Sequence, residues 1–226
     1  MYPKLLNLTD YTVADHLLFA IGCFLWVIVY ILVIKNIRRF KYIEIPLIAI
    51  SVNFAWETLW SWVFYTNMGS LYQWGYRAWF FLDCFIVYSA FKYGYKQLPE
   101  GFHKKSAKFI LAFAWAGWMV LLYWFTVVWD MPQSGMGGYG GYWCNIIMSA
   151  LYIPLLVRTK ELNYFSFANA ILKWLGTFLV TIFCFNHAQW HGKWFLYSLG
   201  IATALLDIVY ITLIYLLKKK ANVKLG

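Results

Sequence analysis

HLLFAIGCFLWVIVYILVI, residues 16–34, runs from His16 to Ile34 without an Asp, Glu, Lys or Arg. About 20 consecutive apolar residues are needed to cross the hydrocarbon core of a bilayer as an α-helix, and helices buried in soluble cores rarely need so long an uncharged run. Six further stretches read the same way, at roughly 43–65, 76–92, 107–128, 142–157, 166–186 and 194–217. Pro46 falls in the first turn of the second stretch, where its missing N–H is harmless, and Pro154 falls late in the fifth, where it favours a kink. Seven spans and short loops use up the 226 residues, which predicts one all-α transmembrane domain over 1–226 and an integral, multi-pass protein.

Composition points the same way. Hydrophobic residues make up 63% of the chain and charged residues 12%, against roughly a quarter charged in soluble domains. That much apolar surface has no interior to hide in, so lipid must be part of the solvent. The net charge of +10 would suit nucleic acid, but the basic residues lie in short loops between apolar spans, so topology and anionic lipid headgroups explain them without a nucleic-acid partner. Lys35, Arg38, Arg39 and Lys41 follow span one, Lys92, Lys96, Lys104, Lys105 and Lys108 surround the third-to-fourth loop, Arg158 and Lys160 follow span five, and Lys218, Lys219, Lys220 and Lys224 form the tail. With seven spans all of these share one side, leaving only Lys4, Arg77 and Lys193 on the other. The positive-inside rule then places the C-terminus in the cytoplasm and the N-terminus outside. Asp10 and Asp15 ahead of the first span do not suit a cleaved signal peptide, so this span is expected to be retained. Cys23, Cys84, Cys144 and Cys184 show no CxxC spacing and read as buried small hydrophobes, with no metal site.

The outward loop from Trp129 to Gly141 is rich in glycine and carries one charge, Asp130. It suits either a bare linker or a lid over a cavity mouth, and it lacks the Lys-Ser/Thr ending of a phosphate loop. Spans one to three and five to seven run in parallel and suggest a faint repeat.

Ionisable residues inside spans carry the functional information, because they are expensive in lipid. Three acids qualify: Glu57 in span two, Asp83 in span three and Asp207 in span seven. By residue count Glu57 and Asp83 sit in the outward half and Asp207 near the midplane, so all three are expected around one pocket. No Lys or Arg matches their depth: Lys173 counts closer to the cytoplasmic face and Arg77 lies at the outer end of span three. A carboxyl without a counter-cation in an apolar cavity holds its proton and can act as a Brønsted acid, with a second carboxyl sharing that proton or standing ionised beside it. Helical spacing adds neighbours. Asn53 is four residues before Glu57, Trp56 adjoins it and Trp60 follows by three; Trp79 is four before Asp83; Thr203 is four before Asp207 and Tyr210 three after. Aromatic faces stabilise cations, so a proton donor among Trp and Tyr suits a reaction that makes a carbocation on an apolar substrate. Packing between helices accounts for the same aromatics.

The segment Asn53-Phe54-Ala55-Trp56-Glu57 resembles the N-x-x-W-E signature of the transmembrane terpene cyclases, the small seven-span enzymes of fungal meroterpenoid and indole-diterpene pathways and their bacterial relatives. Trp79-Phe80-Phe81-Leu82-Asp83 is similar to the family's W-x-x-x-D run in span three, and Asp207 matches the acid of its last span. The resemblance implies an enzyme that protonates an epoxide or terminal alkene of a prenylated, lipophilic small molecule, closes rings and loses a proton to a base. It implies Glu57 and Asp207 as the essential acids, with Asp83 tuning or orienting. Asn53, Trp56, Trp60, Trp79, Thr203 and Tyr210 would then contact substrate, and no metal or other cofactor is required. A proton-coupled transporter of a small solute, laid out as three plus one plus three spans, is the competing expectation. A retinal protein needs a Schiff-base lysine in the last span, and none stands between Lys193 and Lys218.

Overall fold

A computed structural model describes residues 4–99 and 101–224, which form seven long helices and, among the described residues, no strand. They are α1 (Val13–Phe40), α2 (Leu47–Trp62), α3 (Ser70–Tyr93), α4 (Lys104–Phe125), α5 (Gly138–Arg158), α6 (Phe167–Asn186) and α7 (Trp194–Lys220). A π-helical turn (Thr126–Asp130) and a last short turn (Met131–Gln133) prolong α4.

Five of these helices are long and apolar enough to cross a membrane: α1, α4 with its extension to Gln133, α5, α6 and α7. The two that are not have physical reasons. α2 has only 16 residues, and eleven of them are buried, because it packs against α3, α4 and α5 at once. In α3 the apolar run is broken by Gln73, Arg77 and Asp83 and diluted by Tyr and Trp. The peripheral helix α4 shows the opposite pattern: only Ala107, Leu111 and Leu122 are buried, while Phe109, Phe113 and Val128 are about 70% exposed, an outer face suited to lipid.

Local chemistry fixes the helix ends. Thr12 and Asp15 form a capping box at the start of α1: the Asp15 N–H donates to Thr12 Oγ1 (3.1 Å) and the Thr12 N–H to Asp15 Oδ2 (2.9 Å). The second helix starts four residues later than expected. Pro46 is its N-cap residue, and residues 43–45 form a buried connection rather than a helical turn. Gln97 makes that burial tolerable: its Nε2 donates to the carbonyls of Ile43 (2.9 Å) and Ile45 (2.7 Å), and its Oε1 accepts from the Leu47 N–H (3.1 Å). The region 129–141 is not a bare linker either. Asp130 accepts from the backbone N–H groups of Tyr139 (3.2 Å) and Gly140 (2.7 Å), so a carboxylate caps the first turn of α5 and lets that helix begin at Gly138.

α1 packs along α6 at Gly22 and Gly176. A Cβ on Gly22 would meet the Gly176 carbonyl oxygen at 2.8 Å, so the two backbones come closer than any side chain would permit. α7 packs on α5 and α6. Thus α1, α2, α3, α5 and α6 face a common interior, with α7 behind α5 and α6 and α4 outside α2.

Candidate active site

That interior holds an open chamber, with about 770 Å³ of empty space when the open solvent at its mouth is counted. All five facing helices line it, through residues such as Tyr30, Glu57, Trp79, Asn145 and Thr177, and the turn before α5 closes one side with Met136 and Gly137. Gly137 is required there: its φ is +82°, and a Cβ would lie 2.7 Å from Trp60 Cε2 and 2.9 Å from Trp56 Cζ2. Trp56 Nε1 donates to the Gly137 carbonyl at 3.2 Å, which fixes the indole as a wall. Trp79 forms another wall, stacked on Tyr76 with 6.0 Å between ring centroids.

One cluster of polar side chains spans three helices at this chamber. Tyr30 Oη donates to Glu57 Oε1 at 2.6 Å. Asn53 Nδ2 lies 2.8 Å from Tyr30 Oη, 2.9 Å from Glu57 Oε1 and 2.9 Å from Asp83 Oδ2, so two amide hydrogens serve three oxygens. Glu57 and Asp83 are thus tied to the same Asn53 amide, and both are 2% exposed. Glu57 Oε2 receives no N–H or O–H from any other residue, and among the described residues no Lys, Arg or His forms an ion pair with either acid. Glu57 faces the chamber, whereas Asp83 faces a second, smaller cavity on the other side of Tyr30 and Asn53.

Several expected site residues lie elsewhere. Asp207 does not line the chamber and is not without a cation. Lys173 Nζ lies 2.6 and 2.8 Å from its two carboxylate oxygens and donates to Ser149 Oγ at 2.7 Å, with both charged groups 3% exposed. Counting residues placed Lys173 too far toward the basic end, because its flexible stem carries the ammonium well away from its Cα. The pair sits behind the chamber wall: Lys173 Nζ is 5.7 Å from the ring centroid of Trp26, whose Nε1 donates to Thr177 Oγ1 (3.3 Å) in the chamber lining. Thr203 donates to the carbonyl of Leu199 on its own helix (2.8 Å), and Tyr210 packs on Tyr152 with ring centroids 4.8 Å apart. Neither reaches the chamber, because α7 contributes nothing to its lining. Trp60 is fully buried beneath Gly137 and beside Trp56, one layer behind the wall. Asn53, Trp56 and Trp79 do line the chamber.

Sequence reasoning missed Tyr30, which bridges Asn53 and Glu57, and the α5 and α6 lining residues Asn145 and Thr177. A tyrosine within an aromatic-rich span carries no mark of its own. Among the described residues no three of His, Cys, Asp and Glu are grouped as metal ligands.

Comparison with known proteins agrees with this architecture. A family model described as Pyr4-like transmembrane terpene cyclases matches residues 6–220. A protein of Annulohypoxylon moriforme, the Pyr4-family terpene cyclase mfmH, is 26% identical over 211 residues, covering 88% of this chain and 85% of its own. No solved structure matches. With its aromatic chamber set among helices fit to cross a membrane, this integral multi-pass protein belongs to the Pyr4-like transmembrane terpene cyclases.

Proposed function

We propose that the chain is a protonation-initiated cyclase that folds a prenylated, lipid-soluble substrate inside the chamber, with Glu57 as the general acid and Asp83 as the carboxyl that shares its proton. The observation that carries this reading is the Glu57–Asp83 pair, buried without a cation at the wall of an aromatic chamber. Such a pair presents a proton where water is scarce. Glu57 gives that proton to an epoxide oxygen or a terminal alkene carbon, and the resulting cation is attacked by the next double bond. Trp56 and Trp79 offer π faces to the migrating positive charge. Protonation by a carboxyl needs no metal to ionise a leaving group, so the reaction class is isomerase or lyase.

Asp207 acts in this reading through Lys173, holding the ammonium behind Trp26 and so fixing that indole in the wall. Trp60, Thr203 and Tyr210 support the chamber from the second layer. The seven helices all span the bilayer, α2 being shielded by its neighbours, and the basic end faces the cytoplasm. Family membership does not favour the proton-coupled transporter.

The test is Glu57→Gln, expressed in membranes and supplied with a prenylated phenol and its terminal epoxide. Cyclised product is expected to fall by about 10²–10⁴-fold, with substrate binding retained. Full cyclisation by this variant would overturn the assignment.

A further inference from the structure

Polar side chains face each other between α5 and α6 like the rungs of a ladder, and the middle rung is open. Tyr142, Asn145 and Ser149 follow one another along one face of α5, while Thr181, Thr177 and Lys173 do so along the oppositely running α6. At one end Tyr142 Oη and Thr181 Oγ1 lie 2.8 Å apart. At the other, Lys173 Nζ donates to Ser149 Oγ at 2.7 Å. Tyr and Lys are long enough to reach across. Asn145 and Thr177, one helical turn from each closed rung, are short, and both line the chamber.

Each of the two leaves one polar function free. Asn145 Nδ2 donates to the Gly141 carbonyl of its own helix at 3.2 Å, which settles which end of the amide is the oxygen. That oxygen, Oδ1, is buried and has no hydrogen-bond partner among the described residues. Thr177 is 2% exposed and accepts from Trp26 Nε1 at 3.3 Å, while its own O–H finds no acceptor among the described residues. Buried polar groups left unpaired cost free energy, so a ligand that pairs both gains what the fold forgoes.

We propose that Asn145 and Thr177 form the recognition site for a hydroxyl group of the substrate, a phenol or an alcohol. That hydroxyl gives its hydrogen to Asn145 Oδ1 and accepts the hydrogen of Thr177 Oγ1. Only a group that donates and accepts through one atom completes the rung. A carbonyl or ether oxygen brings no hydrogen for Asn145, and an ammonium brings no lone pair for Thr177. The two acids belong to α2 and α3, so a hydroxyl held between α5 and α6 leaves the attached chain to run along the aromatic walls toward Glu57. This inference rests on the reading of the chamber as the substrate site. Asn145 and Thr177 select and position the substrate and take no proton from its chain.

The probes are a phenol carrying a fully saturated prenyl chain and the methyl ether of the same phenol. Neither chain has a double bond or epoxide to protonate, so binding is read apart from chemistry. Equilibrium binding to the full-length protein in lipid nanodiscs is measured against empty nanodiscs. Wild type is expected to bind the phenol about tenfold more tightly than the ether. Asn145→Leu should bring phenol binding down to the level of the ether, with ether binding kept within about twofold. Thr177→Val should weaken phenol binding about fivefold or more, and Thr177→Ser, which keeps the hydroxyl, should retain it. Equal affinity of wild type for the two probes would overturn the site, and that comparison needs no variant to fold. Equal loss of phenol and ether binding in Asn145→Leu would mean that Asn145 only supports the wall, and would overturn it too. If Glu57→Gln cyclises normally while the phenol preference stands, only the acid assignment fails. If Glu57→Gln is inactive and the preference is absent, only the hydroxyl site fails.

Discussion

Glu57 of α2 and Asp83 of α3 meet across the side-chain amide of Asn53, which lies 2.9 Å from an oxygen of each. Asn53 sits one helical turn before Glu57, so a single turn of α2 presents both the carboxyl and the donor that ties it to the next helix. The amide cannot ionise. It gives hydrogen bonds to both acids without adding a charge, so the two carboxyls are held together through one neutral donor.

Asn53 is accordingly expected to matter for stability as well as turnover. Asn53→Leu is close in size but has no N–H, and it leaves Asp83 Oδ2 without its donor while Glu57 Oε1 keeps the Tyr30 hydroxyl. A loss of about 1–3 kcal/mol follows from one unsatisfied buried group, read as a fall in midpoint when the protein is unfolded thermally in detergent. Adding Asp83→Leu to Asn53→Leu removes the acid that lost its donor, so the double variant should regain part of that loss. A double variant less stable than Asn53→Leu alone would show that Asn53 does not act through the acids.

The Lys173–Asp207 pair yields the second prediction. Both charges are 3% exposed, and the ammonium is satisfied by Asp207 and Ser149. Lys173→Met strands a buried carboxylate, and removal of one partner from such a pair typically costs about 3–5 kcal/mol. The double variant Lys173→Met with Asp207→Leu removes both charges and is expected to recover most of it, because well-packed apolar replacements of a buried ion pair are often neutral. Thermal midpoints of the two single variants and the double variant form the cycle. A double variant no more stable than Lys173→Met would refute the account.

The all-helical reading and the pairing of Glu57 with Asn53 were legible because both follow from local rules: long uncharged runs and a four-residue helical spacing. The seven spans remain a reading of the pattern, since five helices meet the length and apolarity needed to cross a membrane. Depth was the weak inference. Residue counting put Asp83 and Glu57 at similar heights, and they do meet, but it could not tell which helices face inward. α7 packs behind α5 and α6, so its Asp207, Thr203 and Tyr210 are buried against those helices and do not reach the chamber although their depth suits it. A lysine stem spans several ångströms, which is why Lys173 reaches Asp207 despite its place in the count. Tyr30 and Gly137 join the site through contacts 27 and 81 residues away in sequence, and such pairings leave no local trace.

The third prediction concerns pH. Glu44 lies in the connection between α1 and α2, 3% exposed, accepting from the Ser166 N–H at the start of α6 (2.9 Å) and from the Asn169 side-chain amide. Burial pushes its carboxyl up to about 7 from an ordinary 4.5, only partly opposed by these hydrogen bonds, by Asn36 and by the nearby ammonium of Lys218. The folded protein therefore holds this proton more tightly than the unfolded chain does. Its contribution to stability is fully present below about pH 4.5 and is lost as pH rises through about 7. In detergent, the thermal midpoint of wild type should fall between pH 5 and about pH 7.5. Glu44→Gln keeps one acceptor oxygen but cannot ionise, so its profile should be flatter over that window even if its midpoint at pH 5 is lower. A wild-type midpoint that rises with pH through this range, with Glu44→Gln following it in parallel, would mean that Glu44 is ionised in the fold and that its hydrogen bonds outweigh its burial.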